Sequence, residues 1–212
     1  MTKREPGLDL VRCVALLCVV VFHFFLYNYY YYQPQTGLSM VLAGGVRWLS
    51  TSCIGLFLML TGYLQSTRTD IRRCWRGILP VLLGYVLAAA ISIPVRHFFL
   101  GEVRSLEEWG CVFLEFGGVS YGWYVEMYVG LALLMPFLNR AMSQFDDRMM
   151  LLFAGVLLAI TALPGATPLI LAPDHWRSIY PLTYYVLGAV VRRYSGRPAF
   201  TPPRKFAFQR PV

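Results

Sequence analysis

Arg12 and His23 are the residues of this chain whose types and spacing invite chemistry. They lie 11 positions apart, three turns at ~3.6 residues per turn, so on a helix they share a face, about 16 Å apart along the axis. Asp9 precedes Arg12 by three positions, close enough on that face for an ion pair. An imidazole kept neutral there offers a nitrogen that takes a proton from a hydroxyl. Asp9, Arg12 and His23 then form a polar stripe facing a substrate cavity. The bland alternative has Arg12 snorkelling to the inner headgroups and His23 hydrogen-bonded to a tyrosine near the outer interface. Spacing alone leaves both readings open.

Glu126 sits in Gly122-Trp123-Tyr124-Val125-Glu126-Met127-Tyr128. Meeting His23 or an arginine, it would orient a base; otherwise it is a carboxylate at an interface, bonded to tyrosine or water. The cluster Arg72-Arg73-Cys74-Trp75-Arg76 is either a stop-transfer signal or an arginine fork for a phosphate-bearing ligand, since guanidinium groups grip phosphate bidentately. Thr61-Gly62 allows close helix packing through a small residue. His97 and His175 have no partner at metal-ligand spacing. The five cysteines form no CxxC pair, so neither a disulfide framework nor a zinc site is expected.

These residues must be positioned by apolar elements. Of 212 residues, 57% are hydrophobic and only 14% charged, against about a quarter charged in soluble domains. The mean hydropathy is +0.53. A soluble single domain and a disordered chain are excluded. A nucleic-acid partner is also excluded, because the net charge of +8 is gathered in short clusters between apolar runs. Six such runs are expected to span a bilayer: residues 8–26, 38–64, 78–95, 121–138, 149–163 and 179–191. The third is expected to close or kink at Pro94, and 96–118 to form an exposed loop with an amphipathic piece. The connector after the fourth is read as 139–148, and the fifth is extendable through 167–172. The sixth is short against the ~20 residues a crossing needs and must borrow from His175-Trp176 and Tyr194. The first run ends in Tyr27-Asn28-Tyr29-Tyr30-Tyr31-Tyr32, which reads as an interfacial tyrosine belt on a retained span, since no signal-peptide cleavage site follows.

Starting the first span in the cytoplasm puts 14 Lys and Arg on the inner side. Arg96, Arg104 and Arg177 then fall outside, with Arg47 near the outer boundary. The positive-inside rule selects this orientation. Because spans must satisfy their backbone internally, the expected fold class is all-α, a polytopic helical membrane protein with about six transmembrane helices and a cytoplasmic N-terminus.

Together these pieces resemble the acyltransferase-3 family of bacterial integral-membrane O-acyltransferases, which includes O-antigen acetyltransferases. The resemblance runs through Arg12 and His23 in the first span and through Leu56-Phe57-Leu58-Met59-Leu60-Thr61-Gly62-Tyr63-Leu64, where Thr61 stands for the family's serine. It continues through Arg73 and Arg76 ahead of Ile78-Leu79-Pro80, and through Trp123-Tyr124-Val125-Glu126-Met127-Tyr128 up to Pro136. The stretch Ile179-Tyr180-Pro181-Leu182-Thr183-Tyr184-Tyr185 also matches a family span. The motifs fall in the right order and on the right membrane side, over residues 7–194.

The resemblance implies an enzyme of the bacterial plasma (inner) membrane that moves an acyl group, acetyl foremost, from acyl-CoA to a hydroxyl of a cell-envelope glycan or lipid-linked sugar. In that scheme His23 takes the acceptor's proton, Arg12 or Asp9 orders the polar stripe, and Glu126 tunes the histidine. Arg73 and Arg76 hold the CoA phosphates. Acyl-CoA is a donor substrate, and no permanently bound cofactor or metal is implied. The partners are acyl-CoA, the sugar acceptor and membrane lipids, with homo-oligomerisation left open. Family members carry about ten spans, so this chain is expected to be C-terminally truncated: a transmembrane domain over 1–194 and a basic, Pro-rich, disordered tail over 195–212. Two other readings stand beside the enzyme: an inactive fragment of one, and a small transporter or membrane scaffold.

Overall fold

The computed structural model describes residues 5–34, 36–119, 121–166 and 173–195. Apart from Ser195, the basic tail lies outside these residues, and so does the extension 167–172. The fold is all-α, with no strand among the described residues. Its helices are α1 (Pro6–Tyr27), α2 (Leu38–Ser50), α3 (Ser52–Gln65), α4 (Ile71–Trp75), α5 (Ile78–Phe98), α6 (Leu106–Leu114), α7 (Gly122–Gln144), α8 (Asp147–Ala166) and α9 (Tyr180–Tyr194). Among the described residues, three stretches are long and apolar enough to cross a membrane: Pro6–Tyr27, Leu38–Gln65 and Ile71–Phe98. The chain divides into two compact units, Met1–Leu64 with Leu151–Val212, and Gln65–Met150.

In the first unit, Pro6 occupies the first turn of α1 and Asp9 places a negative charge at the helix's positive end, both favourable there. The helix stops at Asn28, whose side-chain amide donates to the Phe24 carbonyl at 2.8 Å, and Tyr29 then takes a left-handed conformation (φ 55°). The run read as one span over 38–64 is interrupted at Thr51. Ser50, Thr51 and Ser52 donate their hydroxyls to the carbonyls of Val46, Trp48 and Leu49. Three consecutive hydroxyls competing for helix carbonyls loosen the helical ladder, and α2 gives way to α3.

Two helices of this unit meet backbone to backbone. A Cβ on Gly62 of α3 would overlap the Tyr185 carbonyl of α9, and one on Gly188 of α9 would overlap the Met59 carbonyl of α3. The packing role read for Gly62 is therefore real, and Gly188 is its counterpart. Close approach through small residues is how helices associate where no hydrophobic drive exists between them. Thr183, fully buried, joins α9 to α8 through the Thr161 hydroxyl at 2.6 Å.

In the second unit, three boundaries differ from expectation. Helix α5 runs through Pro94 to Phe98, so Arg96 and His97 belong to its last turn rather than to a loop. Helix α7 runs through Pro136 to Gln144, leaving a corner of only Phe145 and Asp146 in place of the expected connector over 139–148. Apolar surroundings hold such helices together around a proline. Asn139, at the start of that expected connector, is instead a completely buried helix residue whose amide donates to the carbonyls of Gln65 (2.9 Å) and Arg68 (2.7 Å). The expected amphipathic piece is α6, started by a capping box in which Ser105 and Glu108 each accept from the other's backbone N–H.

Candidate functional site

In the first unit, α1 is unbroken from Pro6 to Tyr27, so Arg12 and His23 ride one rigid rod and share its face. The Asp9–Arg12 ion pair is formed, with Nη1 to Oδ1 at 2.5 Å. Arg12 keeps its side chain 48% exposed and Asp9 31%, so the pair lies at the protein's surface rather than in its core. His23 is half-buried. Its Nδ1 lies 2.7 Å from the Val19 carbonyl one turn back. A carbonyl only accepts, so Nδ1 carries the proton, and in a neutral ring the lone pair falls on Nε2. The ring stacks on Tyr27 with centroids 6.3 Å apart and meets Phe22 edge-on at 5.6 Å. One ring nitrogen is thereby anchored and the ring plane is fixed between Tyr27 and Phe22.

One residue of this neighbourhood figures in the sequence only as a marker of orientation. Arg47 of α2 donates from Nε to the Tyr31 hydroxyl at 2.5 Å, and its guanidinium carbon lies 4.9 Å from the Tyr31 ring centre and 5.8 Å from that of Phe22. A cation seated on two aromatic faces is stabilised by their quadrupoles. The signal in the sequence is an arginine inside an apolar run; which rings receive it depends on the approach of α2 to α1. The tyrosines themselves face outward, as a belt should: Tyr27, Tyr29, Tyr31 and Tyr32 are all exposed.

The unit also holds an apolar crevice of about 270 Å³ where α1 begins and α3 and α9 finish, walled by residues that include Leu8, Val11, Leu56, Leu60, Tyr63 and Val191. Thr61, the motif residue beside it, donates its hydroxyl to the Phe57 carbonyl of its own helix at 2.9 Å.

In the second unit, Arg73 lies in α4 and Arg76 caps it, three positions on. Both are exposed, and their spacing presents two guanidinium groups on one side. The turn is rigidly held. Asp70 accepts from the Arg72 backbone N–H at 3.0 Å, Cys74 is buried with Sγ donating to the Arg68 carbonyl, and the Trp75 indole donates to the Leu133 carbonyl of α7. Glu126, in the second turn of α7, is exposed and makes no ion pair among the described residues.

The best-built electrostatic cluster of this unit lies elsewhere. Arg96 clasps Glu102 with Nε at 3.0 Å and Nη2 at 2.8 Å, donates from Nη1 to the Gly117 carbonyl, and stands 5.2 Å from the Trp109 ring centre. The bidentate bond from Arg96 holds the Glu102 carboxyl below the usual glutamate range, and the Ser105 backbone N–H does the same for Glu108. Among the described residues, no three His, Cys, Asp or Glu side chains gather as metal ligands.

Compared with known families, residues 5–208 match the third of the acyltransferase families, described as "Acyltransferase domain". Neither the curated proteins nor the solved structures give a match.

Proposed function

Because the chain belongs to the acyltransferase-3 family, a family of membrane acyltransferases, we propose that it transfers an acyl group, acetyl foremost, from acyl-CoA to a hydroxyl of a cell-envelope glycan or lipid-linked sugar. It does so as a multi-pass protein of the bacterial inner membrane, its N-terminus in the cytoplasm. Acyl-CoA enters as a substrate, and no resident cofactor takes part. The observation that supports this reading is the His23–Val19 hydrogen bond, in which Nδ1 is the donor, so that the ring's acceptor nitrogen is Nε2.

In the proposed reaction, Nε2 accepts the proton of the acceptor hydroxyl as its oxygen attacks the thioester carbonyl. The new C–O bond forms a tetrahedral intermediate. Collapse breaks the C–S bond, and the imidazolium returns the proton to the leaving CoA thiolate, so the ring ends neutral. Arg12 with Asp9 fixes the charge on the same helical face. Arg73 and Arg76 grip the donor's phosphates, a task for which paired, exposed guanidinium groups are suited.

The test is transfer of labelled acetyl from acetyl-CoA to a sugar acceptor in membranes containing the chain. Transfer that persists unchanged in His23→Ala removes the histidine from the mechanism. Absence of any transfer from acyl-CoA, across acetyl to decanoyl donors, removes the reading.

A further inference from the structure

The crevice of the first unit lies at one end of three helices, where α1 begins and α3 and α9 finish. Leu8, Val11, Leu56, Tyr63 and Val191 contribute to its wall, which offers almost no polar surface. Arg192, which follows the wall residue Val191, holds its guanidinium carbon 5.0 Å from the ring centre of Tyr63, another wall residue. An apolar slot with a guanidinium seated on one of its wall rings fits a ligand with a hydrocarbon tail and an anionic head. We infer that the crevice binds one acyl chain of an anionic membrane phospholipid, whose phosphate is held by Arg192.

The wall decides the tail. The pantetheine arm of a CoA ester carries amides, which would find no partners on these side chains, and stranded amides are penalised heavily. A hydrocarbon chain leaves nothing unsatisfied. Entering from the bilayer, however, such a chain gains no hydrophobic free energy, because lipid is as apolar as the slot. Selection must therefore come from the head. The Tyr63 ring keeps the Arg192 guanidinium above the crevice by a cation–π contact, and the planar guanidinium forks onto phosphate oxygens. The Arg192 charge favours a net negative head over a zwitterionic one.

The full chain is reconstituted in nanodiscs of equal phosphatidylglycerol and phosphatidylcholine, released gently, and weighed by native mass spectrometry with its retained lipid. The inference expects phosphatidylglycerol to be retained about fivefold over phosphatidylcholine, the discrimination of one surface cation. Arg192→Gln should bring that ratio close to one. Val191→Trp, at a position 49% exposed, fills the slot from its rim and should lower retention of both lipids. Equal retention of the two lipids by the native chain overturns the inference. So does retention unchanged in both variants, or displacement of the lipid by added decanoyl-CoA, which would make the slot a donor site. None of these readouts depends on acyl transfer, so the lipid site and the proposed activity fail separately.

Discussion

His23 carries the sharpest expectation at the scale of single residues. A positioned general base contributes on the order of 10²–10⁴-fold, so His23→Ala should lower the turnover of acyl transfer by that range while membrane insertion is unchanged. Initial-rate assays beside an immunoblot of the membrane fraction read both. Arg73→Gln and Arg76→Gln should raise the KM for acyl-CoA roughly tenfold each, because a hydrogen bond to a charged group is worth about 1.5–3 kcal/mol. The KM for the acceptor should stay put, which separates phosphate binding from a general collapse. The Asp9–Arg12 pair is legible in the sequence because it is local: three residues on a helix always bring two long side chains within reach. The seat of Arg47 on Phe22 and Tyr31 is not, since it is created by two helices meeting and leaves no spacing of its own.

The glycines and polar residues that fasten the helices together set the expectations for elements. Gly62→Ala and Gly188→Ala each push a methyl group into a carbonyl of the facing helix. Overpacking commonly destabilises by about 1–3 kcal/mol, and contact with backbone belongs at the upper end. Thermal unfolding in mild detergent should show both variants melting earlier, with Gly155→Ala, where a Cβ meets nothing, melting like the native chain. Asn139→Ala deletes two buried donations, while the Gln65 and Arg68 carbonyls keep the Arg68 backbone N–H and the Cys74 thiol as donors; the same melt should show a loss of about 0.5–1.5 kcal/mol per deleted bond.

The capping box of α6 adds a pH signature. Its Glu108 carboxyl titrates below the free value in the folded state, so the stability it contributes is present at neutral pH. That contribution is lost as pH falls through the ordinary glutamate range and below. Hydrogen exchange over 105–114 should accelerate in that window, and Glu108→Gln should flatten the dependence. Apolar runs announce these helices well; their ends are less legible. Pro94 and Asn139 look like terminators in a chain read one residue at a time, whereas packing carries α5 through the proline and turns the asparagine inward to serve other carbonyls.

For the whole molecule, the dominant fact is apolar surface. Leu10, Leu16, Leu17, Val20 and Phe24 of α1, and Leu79, Leu83, Leu87 and Ile91 of α5, are all exposed to what surrounds the chain. Surface of this extent is stable only against hydrocarbon. The chain should therefore stay in the membrane pellet through alkaline carbonate extraction and leave it with detergent; release by carbonate would contradict a spanning fold. Composition makes this much plain at the outset. Sequence spacing cannot show the slot among α1, α3 and α9, because its walls come from parts of the chain up to about 180 residues apart.

Helix α1 keeps a single side chain, Ala15, fully away from its surroundings. The rod that carries the imidazole is therefore propped mostly by fluid rather than by protein, and its tilt is a property the host lipid shares in setting. Swapping that fluid for a short-tailed surfactant should blunt turnover well before circular dichroism registers any loss of helix, so catalysis here would be as much a property of the solvent as of the fold.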